Sequence, residues 1–182
     1  MQRCLIPGLL LFLAMGFTII KATRDMMDDV KACINSNYDL YKNISDPDDL
    51  SEHQVDDAWA DRNFKIREFY LLQDEDTGES TGEGSFQVLG KFAYIGYFYV
   101  KAGFQGQGRG KILMKYLEEL ALERGKHDLR LFVHAKADWA KNFYKNMGFK
   151  VFKSAKDSIL AIDNGILKPF YEEGSLLMRK QL

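Results

Sequence analysis

The sequence predicts an α/β (α+β) fold: one domain with a mixed central sheet of about seven strands, flanked by about four helices. Three observations carry this. Lys91–Lys101 is apolar or aromatic on both alternating faces, as a central strand must be. The next segment, Gly108–Arg124, repeats Ile112, Leu113, Tyr116, Leu117 and Leu120 at helical spacing. The order β-α-α-β-β-β-α-β-α-β-β gives antiparallel hairpins first, then a right-handed crossover through that helix.

Cys4–Ile20 carries no charge and holds the apolar run Leu9–Leu13. Arg3 and Ala14-Met15-Gly16 give it some features of a signal peptide. Pro7, Gly8, Gly16 and Thr18 make it too short and too interrupted for a membrane helix. The preferred reading takes 1–16 as an apolar N-terminal extension, with Met15 an internal start, and 17–182 as the domain.

Phe17–Ala22 then reads as the first strand. Thr23 suits an N-cap, with Asp25 in the first turn and Met26, Met27, Val30, Cys33 and Ile34 on one helical face. Asn35–Pro47 reads as loop. Ser51 opens a second helix reaching Asn63, with Val55, Ala58 and Trp59 on one side. Ile66–Gln73 is a strand, Asp74–Gly78 a hairpin turn, and Ser85–Leu89 a weaker strand. In Lys91–Lys101, Phe92, Tyr94, Phe98 and Val100 point one way, and Ala93, Ile95, Tyr97 and Tyr99 the other. Gly96 marks a bulge there. Asp128–His134 is a strand, and Asp138–Met147 a helix with Ala140, Phe143, Tyr144 and Met147 in register. Phe149 returns as a strand, and Leu176–Leu182 is the last.

Composition narrows the function. The 182 residues carry 25 Lys+Arg against 26 Asp+Glu, which removes the general basic signature of a nucleic-acid binder. Two cysteines, Cys4 and Cys33, fit neither a disulfide framework nor a zinc spacing, and suit a reducing compartment.

The strongest strand joins the clearest helix through Gln105-Gly106-Gln107-Gly108-Arg109-Gly110-Lys111. A glycine-rich turn at a helix start offers unpaired backbone N–H groups beside the positive end of the dipole, a setting for a phosphate or pyrophosphate. A plain strand-to-helix turn is the simpler alternative. A P-loop would need Gly at 105 and Ser or Thr at 112, where Gln105 and Ile112 stand. The dinucleotide fingerprint fails at Lys111.

Gln-x-x-Gly-x-Gly from Gln105 to Gly110 does resemble motif A of the GNAT superfamily of N-acetyltransferases. Ala140-x-x-Phe143-Tyr144-x-x-x-Gly148-Phe149 resembles that family's motif B. The resemblance runs over roughly 17–182. One departure is Ala137, where relatives often carry a cofactor-contacting Asn.

The resemblance implies transfer of an acetyl group from acetyl-CoA to an amine, without a metal. It implies that the pantetheine arm pairs with the backbone of Phe98, Tyr99 and Val100. The pyrophosphate then rests on Gln105, Gly106, Gln107, Gly108, Arg109 and Gly110. Tyr144 becomes the candidate acid for the departing thiolate. His134 is the candidate base, with Glu68 or a water relay as alternatives, since Lys91–Lys101 has no carboxylate. Acidic segments 46–61 and 74–83 suit a cationic acceptor, or are merely a solvated surface. The expected setting is cytoplasmic, without nucleic acid or membrane, and compatible with a homodimer. Two other classes compete: a non-catalytic acyl-CoA-binding module, favoured by Ala137 and the missing strand carboxylate, and a nucleic-acid binder using 105–111, opposed by the acidic segments.

Overall fold

Eight strands form one mixed sheet with six helices around it in the computed structural model, which describes residues 16–182. The elements are β1 (Phe17–Lys21), α1 (Met27–Asn35), α2 (Tyr38–Tyr41), α3 (Asp57–Phe64), β2 (Glu68–Asp74), β3 (Ser80–Leu89) and β4 (Phe92–Ile95). They continue as β5 (Phe98–Val100), α4 (Arg109–Glu123), β6 (Asp128–His134), α5 (Asp138–Asn146), β7 (Lys150–Lys153), α6 (Lys156–Leu160) and β8 (Ser175–Gln181). The strand order is β1-β2-β3-β4-β6-β8-β7, with β5 pairing β3 off this path. The β4–β6 pairing is parallel, and the other pairings are antiparallel.

Two layers cover the sheet. On one face, Leu113, Leu117 and Leu120 of α4 and Tyr144 of α5 pack with Ala93, Ile95, Leu129 and Leu131. Gly82 and Gly84 of β3 let α4 come close; a Cβ on Gly84 would fall 2.8 Å from Leu117 Cδ1. On the other face, Met27, Val30 and Ile34 of α1 and Trp59 of α3 pack with Phe69, Leu71, Tyr97 and Tyr99. Further along that face, Ile159 and Leu167 cover Phe92, Tyr94 and Leu177.

Several expectations need correcting. Lys91–Lys101 is two strands, broken at Gly96 and Tyr97, and the bulge reverses the alternation beyond it. Tyr97 and Tyr99 therefore share a face with Phe92 and Tyr94, while Phe98 joins Ala93 and Ile95. The Arg67 guanidinium occupies the space a Cβ at Gly96 would fill, and would have to shift to admit one. The second helix starts at Asp57, not Ser51; the Asp56 carboxylate caps it by accepting from Trp59 N at 2.8 Å. Residues Leu50–Glu52 form only a 3-10 turn, Val55 lies before the helix, and Ala58 is exposed. Thr23 precedes a 3-10 turn and makes no capping bond. A one-turn helix, α2, interrupts the expected 35–47 loop, and α6 with two 3-10 turns fills the segment after β7. The expected 1–16 extension lies outside the described residues, apart from Gly16.

Candidate active site

Beyond Ile95, β4 and β6 part, and β5 continues with β3 alone. Ser85 N donates to Tyr97 O at 2.8 Å and Lys101 N to Thr81 O at 2.9 Å, so the backbone groups of Tyr97, Tyr99 and Lys101 face β3. Alternation turns those of Phe98 and Val100 into the gap between β5 and β6. The Val100 carbonyl accepts from Asn37 Nδ2 at 3.1 Å. Asn37 Oδ1 in turn accepts from Gln105 Nε2 at 2.6 Å, which ties the glycine loop to the end of β5.

The gap is the floor of a cleft of about 660 Å³. Gln105, Gly106, Gly108, Gly110 and Lys111 form one end, and Phe143, Tyr144 and Met147 of α5 form a wall. Gly106 and Gly108 have φ of +75° and +82°, a backbone that favours glycine. At Gly110 the constraint is packing: a Cβ there would press on the Phe143 ring at 3.3 Å. Among the described residues, no backbone carbonyl takes the N–H groups of Gln105 through Gly108. They stand at the start of α4, whose dipole is positive at that end.

Gln107 and Arg109 do not line the cleft. The Arg109 guanidinium is turned inward, between the rings of Phe17 and Phe104 at 4.9 and 4.7 Å, and bonds Gln107 Oε1. Lys111 is instead the cation at the loop. Ala137 is fully buried in the core.

Tyr144 lies between Phe98, Phe143 and Phe149, and among the described residues none hydrogen-bonds its hydroxyl. Burial holds that hydroxyl well above the usual tyrosine range, so it keeps its proton at neutral pH. Tyr41, Phe98, Tyr99, Ala140 and Tyr144 border both the cleft and a narrower chamber of about 60 Å³ behind it.

His134 is in that chamber, at the end of β6. Its Nδ1 accepts from Lys136 N at 3.2 Å, so the neutral ring carries its hydrogen on Nε2. Burial first, then the charge of Lys136, holds it below the usual histidine range. Glu68 lies elsewhere, in a separate opening with Arg67 and Arg124, where it accepts from the Tyr70 hydroxyl at 2.5 Å.

The structure adds residues that sequence reasoning missed: Asn37, His53, Glu83 and Glu172. His53 and Glu172 come from irregular segments with no periodic signal, and both line the chamber. Glu83 is fully buried opposite Tyr99, with neither carboxylate oxygen bonded among the described residues. Burial drives it well above the usual carboxylate range, which favours its neutral form. Among the described residues, no three His, Cys, Asp or Glu side chains are grouped to hold a metal ion. Nor is any helix there long and apolar enough to cross a membrane.

Solved structures share this architecture. The chain is similar to a GNAT-family acetyltransferase from Staphylococcus aureus Mu50, at 18% identity and TM-score 0.67, covering 91% of this chain and 99% of that one. It is similar to the PaiA N-acetyltransferase of Thermoplasma acidophilum in complex with coenzyme A, at 16% identity and TM-score 0.68, with the same coverage. It is also similar to a GNAT acetyltransferase from Elizabethkingia anophelis with acetyl-CoA bound, at 18% identity and TM-score 0.64, covering 92% and 99%. Those identities carry the fold alone. The model of the acetyltransferase (GNAT) family matches residues 34–149, more than half of the chain and the whole of the cleft-forming region. The chain therefore belongs to the GNAT acetyltransferase family, and it is an acetyltransferase.

Proposed function

We propose that the protein moves an acetyl group from acetyl-CoA to a primary amine, either a cationic small molecule or a peptide or protein amine. The observation that carries the reading is the unpaired β5 edge leading from the glycine loop to the chamber at Tyr144. Acetyl-CoA is the co-substrate. The residues fit it: the N–H groups of 105–110 and Lys111 suit the pyrophosphate, and the edge of β5 at Phe98 and Val100, which pairs with no second strand, suits the amide-rich arm. CoA supplies an activated thioester, and the protein supplies position and protons. Tyr144, protonated and without a protein partner, donates its hydrogen to the departing sulfur.

His134 is a candidate for proton transfer from the amine. In its present tautomer Nε2 carries the hydrogen and Nδ1 accepts from Lys136 N, so His134 takes a proton only by giving up that bond at Nδ1. The acidic rim shrinks on inspection. Glu52 bonds Tyr97, Asp56 caps α3, Asp57 pairs with Lys31, Asp61 pairs with Arg24, and Glu79 pairs with Lys101. In another opening Glu173 pairs with Lys156 and Asp49 accepts from Glu173 N, which leaves Asp46 and Asp48. These carboxylates support a cationic acceptor. The reading sets the protein in the cytoplasm, beside a supply of acetyl-CoA.

A thiol-release assay with acetyl-CoA and a panel of primary amines tests the reading. Amine-dependent release of CoA is expected. Tight acetyl-CoA binding with no release on any amine would overturn it.

A further inference from the structure

The chamber behind Tyr144 is walled mostly by aromatic rings, and Glu172 is its one carboxylate among the described residues. Its side chain is 28% exposed, and its Oε2 lies 3.3 Å from Nε2 of His53. Among the described residues nothing bonds the other oxygen, Oε1. His53 is itself only 6% exposed. Its ring stacks on Tyr41 at 3.9 Å, and its Nδ1 is 2.7 Å from the Tyr99 hydroxyl. A carboxylate oxygen facing Nε2 suits the tautomer with its hydrogen on Nε2, in which Nδ1 accepts from the Tyr99 hydroxyl. Yet Nε2 is shielded from solvent with no well-aligned hydrogen bond. The pair is close but incompletely satisfied, which is costly in a space of this kind unless a ligand completes it.

A carboxylate with one free oxygen, set among aromatic faces, suits a cation that also has an apolar stem. The Glu172 charge already reaches across the chamber: after burial, it is the next cause that lifts the Tyr41 hydroxyl to about 12. The space, about 60 Å³, has room for an ammonium and the start of its alkyl stem.

We infer that Glu172, positioned by His53, receives the ammonium of the acceptor, a primary amine on an alkyl stem. This rests on the acetyl-transfer reading above. Glu172 makes the contact with substrate. His53 acts through it, fixing one carboxylate oxygen so that the other meets the amine nitrogen below the thioester.

Calorimetry with 1-butylamine in the presence of CoA reads this without turnover. The wild type is expected to bind the amine. Glu172→Gln is expected to weaken it about 10- to 100-fold, the usual range for a hydrogen bond to a charged group, with CoA affinity unchanged. His53→Phe keeps the ring on Tyr41 but loses the donor, and should weaken the amine alone. His53→Gln restores an N–H toward Glu172 and should recover most of the loss. Equal amine binding by wild type and Glu172→Gln, or no binding by the wild type, would overturn the inference. Failure of acetyl transfer itself would show separately, as absence of CoA release on every amine.

Discussion

Replacing Gly108 by Asn and by Asp separates charge from backbone strain at the start of α4. Gly108 has φ of +82°, and a Cβ there would meet nothing within 4 Å. Either side chain therefore costs backbone strain of about 1–2 kcal/mol, lessened because both residues tolerate this region, and neither clashes with the protein. The two variants have nearly the same shape and differ by one negative charge. That charge would stand beside the N–H groups of 105–108, where the pyrophosphate is expected. At a separation of about 5 Å and an effective dielectric constant near 20, the repulsion is roughly 3 kcal/mol before salt screening. Screening at an exposed site brings the expected loss to about 10- to 100-fold in acetyl-CoA affinity for Gly108→Asp relative to Gly108→Asn. The assay is calorimetric titration with acetyl-CoA at low and at molar salt, with thermal unfolding as a folding control. The difference should shrink at high salt. Equal affinities in two folded variants at low salt would refute the assignment of the anion to this loop.

Tyr144→Phe keeps the ring among Phe98, Phe143 and Phe149, and is expected to leave stability and acetyl-CoA affinity near normal. Turnover should fall about 10²-fold when chemistry limits the rate, and an unchanged single-turnover rate would remove the acid role. For Glu83→Gln the effect depends on pH. The folded pKa of Glu83 is raised above 4.5, so its contribution is fully present below that value and is lost as pH rises toward the folded value. The variant should match the wild type in thermal unfolding at pH 4 and exceed it at pH 7; equal midpoints at both would mean that Glu83 is ionised in the fold.

Local signals and tertiary pairing divided the work. Helical spacing and turn chemistry placed α4, α5 and β6 within a residue or two, because amphipathic faces and glycine conformations are written in neighbouring residues. The glycine loop was legible for the same reason: its function is carried by its own backbone. Gly96 marked the break in the central strand, but not its consequence, because the reversed faces of Tyr97 and Tyr99 follow from how β5 re-pairs with β3. Ser80–Gly84 read poorly as a strand, since its two glycines exist to admit α4 and carry no pattern of their own. The acidic segments looked uniform, and only the fold separated capping and paired carboxylates from the few that border a separate opening. His53 and Glu172 are 119 positions apart in irregular chain, and their encounter depends on the segment after β7 folding back over the sheet. The sequence by itself determined α4, α5, β6, the loop and the family resemblance, since these rest on short-range pattern. Tertiary structure alone decided which charges face one another, because burial and long-range contact set that, not spacing along the chain.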